Sequence, residues 1–448
     1  MSDRTPTPAS SPAPTSADAR RVAVGAFVGT ALEWYDFFLY GTAASLVFNR
    51  LFFATDDAVV ATLAAFASFA VGFVARPLGG VIFGHLGDRI GRRACLLITV
   101  VMIGAVTGLI GVLPGFADIG VAAPVLLTLL RLLQGVAVGG EWGGAITLAV
   151  EHAPPEKRGR YAAMPQIGSP VGTLLSSGAF LLVALLPPED FDAWGWRIPF
   201  LVAFPLLGVA LWLRRRVEES PLFDRLLAED ARASAPVRDV VVRAWPGLLV
   251  GAGSALLGVG GFYLATTFVI SYATGDLDLP RPLVLGATLV AAVVEIGVLV
   301  LGGRLAERFG AARVTVAGGI ASALVALPMF WLLDARNGVA VVLGVTLGVA
   351  MLSIPYAVSG DLLARLFPAR LRYSGIALAA NLAGIVSGFV PLVATAVLAA
   401  AGGRSWAPGL LLVGIALVTV VSGLLAPRLY VPDAEMTTEG VAAPRAGA

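Results

Sequence analysis

Long apolar runs separated by short polar segments occupy the chain from about residue 22 to residue 427. A run of roughly 20 apolar residues can cross a ~30 Å hydrocarbon layer as a helix that rises ~1.5 Å per residue. Twelve runs approach or exceed this length, with limits near residues 22–48, 58–83, 94–113, 122–150, 160–186, 197–213, 245–272, 282–303, 312–333, 338–364, 373–400 and 407–427. The pattern predicts an all-α polytopic membrane protein with twelve transmembrane helices.

The composition supports lipid as the solvent of this chain. Hydrophobic residues make up 58% and charged residues 13%, and the mean hydropathy is +0.87. An ordinary soluble domain carries about 25% charged residues. The single cysteine, Cys95, excludes an intramolecular disulfide.

One short basic segment occurs twice, each time after an apolar run. It reads GHLGDRIGRR at residues 84–93 and GRLAERFG at residues 303–310. Aligning Asp88 with Glu307 brings a glycine, a leucine, an acid, an arginine and a second glycine into register. Duplicated halves with a site between them are common in membrane transporters. We expect both segments to be loops of a moving gate, with contributions from Gly84, Asp88, Arg89, Gly91, Arg92, Glu307 and Arg308.

The basic residues predict the orientation. With the N-terminus in the cytoplasm, 24 of the 31 basic residues fall on the cytoplasmic side and 5 on the other side. Cytoplasmic loops carry such an excess, so both termini are predicted to be cytoplasmic. The predicted organisation is a disordered tail at 1–19, a six-helix bundle at 20–213, a linker at 214–244, a second six-helix bundle at 245–430 and a disordered tail at 431–448.

Seven further motifs are informative about the protein family. They are ALEWYDFFLYG at residues 31–41, RPLGG at 76–80, RLLQG at 131–135, GEWGG at 140–144, WGWRIPF at 194–200, ESPLF at 219–223 and RYSG at 372–375. With the repeated segment, they resemble the major facilitator superfamily, and within it the metabolite:proton symporter branch. The resemblance covers about residues 21–430. The chain departs from the pattern at Arg365, where many relatives have an acid, and at Glu307, which replaces aspartate.

The resemblance implies two pseudo-symmetric bundles of six helices that transport by alternating access. The branch resembles bacterial importers of osmolytes such as proline and betaine, and of organic acids such as 2-oxoglutarate, citrate and shikimate. The expected function is proton-coupled import of a small organic acid or zwitterion. The expected partners are this small molecule, protons and the lipid bilayer, with no cofactor and no nucleic acid. We expect a monomer in a bacterial-type inner membrane.

Symport has two alternatives in other classes of function. A proton-coupled antiporter that exports a drug or metabolite is the main alternative, and a membrane sensor without transport is another. No enzyme is expected, because the sequence has no recognisable nucleophile, phosphate loop or metal-binding set. His85 and His152 lack a second ligand at metal-binding spacing, so no metal site is expected.

Charged residues inside the apolar runs are the candidates for the transport chemistry. A charge at mid-bilayer costs at least ~3 kcal/mol, so it is expected to face a partner or a cavity. Glu33 and Asp36 share one helix face with Tyr40. Arg131 and Gln134 share a stripe with Glu141 on the fourth helix. A structural salt-bridge lattice is the alternative interpretation of these groups.

The sequence assigns candidate roles to these positions. The proton-coupling candidates are Glu33, Asp36, Glu141 and Glu295. Arg131 is expected to hold a substrate carboxylate, because a guanidinium can bind it with two hydrogen bonds. The other substrate-binding candidates are Tyr40, Gln134, Tyr263, Tyr356 and Asn381. Arg76 is either a gate residue or a side chain that extends towards the membrane surface. Glu295 is either a proton group or a partner of Asn381 or Tyr356, and Asp361 is expected in the inner gate.

Overall fold

The computed structural model describes residues 16–431 except residues 54, 91, 140–164 and 209–235. Within these ranges all regular elements are helical. We number the helices by the predicted transmembrane segments that contain them.

The helices of the first half are interrupted by short turns. The first helix, Ser16–Ala43, continues through a π-helical turn, Ala44–Phe48, into Asn49–Leu51. The others are the second helix Ala58–Ile90, the third Arg92–Val112, the fourth Ala122–Val138, the fifth Gly168–Val183 after a 3-10 turn at Pro165–Ile167, and the sixth, which starts with Ile198–Leu201. Phe116–Ile119, Pro188–Ala193 and Gly195–Arg197 are short helices in the connections.

The second half begins, in its described part, with a short helix, Pro236–Arg243. The seventh helix, Trp245–Leu256, continues through the turns Leu257–Gly261, Leu264–Phe268, Val269–Ser271 and Tyr272–Asp276, three of which are π-helical. The remaining helices are the eighth Arg281–Phe309, the ninth Ala311–Asp334, the tenth Gly338–Leu366, the eleventh Ala369–Ala400 and the twelfth Trp406–Leu425, followed by a 3-10 turn at Ala426–Arg428.

Length and apolarity agree with membrane insertion. Among the described residues, seven helices are long and apolar enough to cross a membrane. Four shorter apolar helices occupy Leu97–Val112, Ala122–Val138, Gly168–Val183 and Gly195–Gly208. Every predicted transmembrane segment thus contains a helix, although the boundaries differ. The first helix starts at Ser16, inside the predicted tail.

The two basic segments are not loops, which corrects that prediction. Residues 84–90 belong to the second helix, and the third helix begins at Arg92. The second copy lies inside the eighth helix, which ends at Phe309. Leucine, alanine, arginine and glutamate favour helix, so only the closing glycine interrupts it. Gly310 has φ +84°, a conformation that glycine adopts readily after a helix.

Specific helix pairs hold the bundles together. The first half packs its first helix on the fifth and its second on the fourth. In the second half, the tenth helix packs on the eighth and ninth, and the ninth on the twelfth. The second helix contacts the eleventh, and the fifth contacts the eighth. These last two contacts join the halves.

Glycines bring the second and fourth helices into very close contact. A Cβ atom added at Gly79 would overlap the carbonyl group of Val136, and one added at Gly135 would overlap the carbonyl group of Gly72. Small residues allow such approach between membrane helices. Gly72 also leaves space for the guanidinium of Arg131. The close contact therefore positions a charged side chain inside the bundle.

Candidate functional site

A group of buried polar side chains lies where the first, second, third and fourth helices meet. Glu33, Asp36, Thr107, Arg131 and Gln134 are all buried. Their surroundings are apolar and aromatic, so their charges and hydrogen bonds must be satisfied mainly by one another.

Asp36 is held by the third and fourth helices. The Gln134 Nε2 donates to Asp36 Oδ1 over 2.6 Å, and the Thr107 hydroxyl contacts the same oxygen. Gln134 Nε2 also lies 2.9 Å from Thr107 Oγ1. Asp36 Oδ2 has no hydrogen-bond partner among the described residues. Asp36 thus has one fixed oxygen and one free oxygen. Thr107 was not predicted from the sequence, because its only signal is a hydroxyl group in an apolar run.

Arg131 completes this network from the fourth helix. Its Nη1 donates to Gln134 Oε1 over 2.5 Å, and its guanidinium lies 4.5 Å from the ring centroid of Phe37 and 4.3 Å from that of Tyr40. Gln134 therefore bridges the charges of Arg131 and Asp36. Arg131 is 0% exposed, so no ligand reaches it in this arrangement.

Arg76 forms a second charged pair. Its Nη2 lies 3.3 Å from Glu33 Oε1. Its guanidinium lies 4.1 Å from the ring centroid of Phe37 and 4.8 Å from that of Phe73, which favours a cation. Arg76 Nε has no hydrogen-bond partner among the described residues. The side chain of Arg76 thus turns inward to Glu33 and does not extend towards the membrane surface.

Aromatic rings from both halves meet beside these pairs. The ring of Tyr263 from the seventh helix lies 6.3 Å from that of Trp34, 5.1 Å from that of Phe69 and 5.5 Å from that of Phe73, measured between centroids. The Tyr263 hydroxyl is buried and has no hydrogen-bond partner within the described part of the chain. The Tyr40 hydroxyl, by contrast, lies 2.8 Å from Ser68 Oγ.

The second half contributes one deeply buried acid. Glu295 in the eighth helix is fully buried, and neither carboxyl oxygen has a hydrogen-bond partner among the residues that the structure describes. It is therefore not hydrogen-bonded to Tyr356 or Asn381, although Tyr356 lies within its electrostatic range. Asn381 is half-buried in the eleventh helix.

Hydrogen bonds join the halves at the predicted cytoplasmic end. Gln166 Nε2, at the start of the fifth helix, donates to Ser359 Oγ over 2.9 Å and lies 3.4 Å from the carbonyl oxygen of Tyr356. The Asp361 carboxylate pairs with Arg365 over 3.1 Å. Gln166 and Ser359 were not predicted, because neither carries a charge or a motif.

The other gate candidates are only partly described. The guanidinium of Arg308 lies 5.2 Å from the ring centroid of Phe309, and Glu307 precedes it in the eighth helix. Gly84 lies within the second helix. Gly91, Glu141 and the side chains of Asp88, Arg89 and Arg92 lie outside the described residues.

Further contacts join the halves at the predicted outer end. Ser45 Oγ donates to the carbonyl oxygen of Thr267 over 2.7 Å. Asp192 pairs with Arg50 of its own half over 2.6 Å and lies 3.9 Å from Arg281 of the other half. The described contacts therefore close the space around the aromatic rings from both ends.

Removing the charge of Asp192 should weaken the closure at the outer end. We expect Asp192→Asn to raise the population open at that end by up to about fivefold, because exposed ion pairs contribute at most about 1 kcal/mol. Pulsed electron paramagnetic resonance would measure this population from the distribution of distances between spin labels at positions 56 and 336. Asp57→Asn, which keeps its exposed helix cap, is the matched control. An unchanged distance distribution in Asp192→Asn would contradict the prediction.

Comparison with known proteins identifies the family of the chain. The profile of the Major Facilitator Superfamily matches residues 26–391. The chain belongs to this superfamily. It is 40% identical over 412 residues to the shikimate transporter of Escherichia coli, with 91% of this chain and 94% of the relative covered. It is 33% identical over 418 residues to the proline/betaine transporter of Salmonella typhimurium, with 90% and 83% covered.

Solved structures show the same fold. The proton:xylose symporter XylE bound to 6-bromo-6-deoxy-D-glucose superposes with a TM-score of 0.72 at 18% identity, over 92% of this chain and 96% of that chain. The chain is thus a multi-pass membrane transporter with twelve helices in two six-helix bundles, and not an enzyme. The resemblance seen in the sequence is confirmed.

Proposed function

We propose that the chain imports a small organic acid or carboxylate-bearing zwitterion together with protons, by alternating access. The observation that carries this proposal is the environment of Asp36. Its carboxylate is buried, one oxygen is held by Gln134 and Thr107, and the other is free of partners among the described residues. A free oxygen on a buried carboxylate gives a proton a place to bind without breaking the existing hydrogen bonds.

The network around Asp36 links protonation to helix packing. Asp36 lies on the first helix, Thr107 on the third and Arg131 on the fourth. A proton on Asp36 removes the negative charge that balances Arg131 through Gln134. In a low dielectric, such a change in charge alters the preferred positions of the helices that carry these groups. Proton binding can therefore bias one of the two transport states.

The chemistry of the relatives supports a carboxylate as the recognised group. Shikimate, proline and betaine, named for two relatives, each carry one carboxylate. A guanidinium is well suited to bind this group, and two guanidinium groups lie inside the membrane part of the protein, on Arg76 and Arg131.

The proposed setting is a bacterial inner membrane with both termini in the cytoplasm. The excess of basic residues on one side supports this orientation. We propose that the protein acts as a monomer, takes its energy from the proton gradient and uses no cofactor or nucleic acid.

Uptake into proteoliposomes tests the proposal directly. Labelled shikimate, proline and betaine are supplied outside, under an inward proton gradient, a reversed gradient or no gradient. We expect at least one compound to accumulate only under the inward gradient and to stop doing so when a protonophore is added. Accumulation under the reversed gradient would instead support antiport. Absence of flux for any organic acid or zwitterion under all gradients would support a sensor.

A further inference from the structure

We propose that Glu33 is a built-in competitor of the substrate. In the empty transporter, the Glu33 carboxylate is paired with the guanidinium of Arg76. When Glu33 takes up a proton, the carboxylate of the substrate binds to this guanidinium instead. This inference rests on the proposed function, since it assigns a binding group to the transported carboxylate. It also transfers that role from Arg131 to Arg76.

The contact between Arg76 and Glu33 is weak enough for another carboxylate to displace Glu33. A single pair of atoms, Nη2 and Oε1, meets at 3.3 Å, which is long for a charge-assisted hydrogen bond. Nε of Arg76 has no partner among the described residues. A guanidinium can offer two parallel N–H groups to one carboxylate. Arg76 therefore holds Glu33 with less than its full capacity, and a ligand carboxylate can make the better contact.

Arg76 also lies at the boundary between the halves, where alternating access brings the substrate. The eleventh helix, from the second half, passes it at Gly384, where a Cβ atom would lie 3.8 Å from Arg76 Nη1. Because glycine has no side chain, room for about one methyl group remains beside the guanidinium on that side. The Arg76 side chain is 11% exposed, whereas Arg131 is fully enclosed. Of the two guanidinium groups, Arg76 is the accessible one.

The charge balance explains the coupling to a proton. Among the described residues, the empty site holds one guanidinium, of Arg76, and one carboxylate, of Glu33, and this pair is neutral. A second carboxylate would make the site negative in a medium of low dielectric, which is unfavourable. Protonation of Glu33 removes one negative charge, so the substrate can enter and the site stays neutral. One proton therefore accompanies each substrate carboxylate at this site.

Among the residues that the structure describes, few titratable groups surround Glu33. Asp36 lies on the same helix and Arg76 on the second helix, while Tyr263 and Tyr356 approach from the second half. Arg131 faces Asp36 through Gln134. The fifth helix packs along the first and has no titratable residue within Gly168–Val183. Arg76 is thus the partner whose charge Glu33 balances.

Equilibrium binding of labelled shikimate to the protein in lipid nanodiscs tests this inference without a gradient. The affinity of the wild type for shikimate should fall from mildly acidic to mildly alkaline pH. At alkaline pH, Glu33 keeps its negative charge and stays paired with Arg76. Glu33→Gln removes the competitor, so it should bind at least about tenfold more tightly at alkaline pH and lose this pH dependence. Proline, betaine and acetate serve as further carboxylate probes. Methyl shikimate, which has no carboxylate, should gain nothing from Glu33→Gln.

A double-mutant cycle separates this role from a structural one. The gain from Glu33→Gln should vanish when Arg76→Gln is also present, and Arg76→Lys should weaken binding because it loses the two-pronged contact. Glu189→Gln and Arg313→Lys, at exposed positions, are the matched controls. If folded Glu33→Gln binds every carboxylate probe no better than the wild type does, or binds none of them, the inference is wrong.

A calorimetric measurement covers the case in which Glu33→Gln does not fold. Shikimate binding to the wild type at alkaline pH should be accompanied by proton uptake, read from heats in buffers of different ionisation enthalpy. Asp36→Asn should retain this proton uptake, and loss of the uptake in this variant would overturn the inference.

The inference and the proposed function fail separately. Symport without tighter binding by Glu33→Gln removes only the inference, whereas tighter binding without gradient-driven uptake removes only the proposed function.

Discussion

Asp36→Asn is expected to abolish the accumulation of substrate that a pH gradient drives. Asparagine keeps an oxygen that can accept the hydrogen bonds from Gln134 and Thr107, so the network should remain. It cannot carry the proton, because an amide does not titrate as a carboxyl group does. In proteoliposomes with an inward proton gradient, the internal substrate concentration should no longer exceed the external one. Exchange of labelled for unlabelled substrate should continue, because the loaded transporter can still change state, whereas the empty transporter lacks the charge on Asp36 that biases its return and so gives no net uptake.

Asp57→Asn is the matched control for this prediction. Asp57 is exposed, and its carboxylate caps the start of the second helix, a role that asparagine fills equally well. This variant should accumulate substrate as the wild type does. If Asp36→Asn still concentrates substrate with an unchanged dependence on the pH gradient, the coupling proton binds elsewhere. Glu33, Glu141 and Glu295 would then be the remaining candidates.

The sequence predicted the membrane architecture well, because hydrophobic length is a local property. Each of the twelve apolar runs contains a helix. The superfamily suggested by the motifs is confirmed. The ends of the helices were harder to predict. Residues 84–90 read as a polar loop but continue the second helix, because hydropathy marks the edge of the apolar layer and not the last helical turn.

Helical spacing also predicted that two residues of the candidate site share one stripe of a helix. Arg131 and Gln134 are three residues apart on one stripe of the fourth helix, and they are hydrogen-bonded. The pairing of Arg76 with Glu33 was not predicted, because it joins two helices. Which faces of two helices meet depends on their rotation and on close packing at glycines, and neither can be read from a single run. Thr107 and Gln166 were missed for the same reason.

Close packing at Gly135 leads to the second large prediction. A Cβ atom there would overlap the backbone carbonyl group of Gly72 on the second helix. Gly135→Ala should therefore force the second and fourth helices apart, at a cost of about 1–3 kcal/mol. On the fourth helix, Gln134 directly precedes Gly135 and Arg131 lies one turn before it, so the polar network should be displaced as well. We expect a lower apparent melting temperature of the purified protein and a strong loss of transport.

Gly297→Ala is the matched control, because the same substitution in the eighth helix meets no atom within 4 Å. Alanine favours helix over glycine, so this variant should be as stable as the wild type or slightly more stable. Thermal unfolding followed by intrinsic fluorescence, together with uptake by both variants at equal reconstitution, measures the difference. If Gly135→Ala unfolds at the temperature of Gly297→Ala, the second and fourth helices can separate freely. Their contact at Gly135 would then not be what holds Arg131 and Gln134 in place.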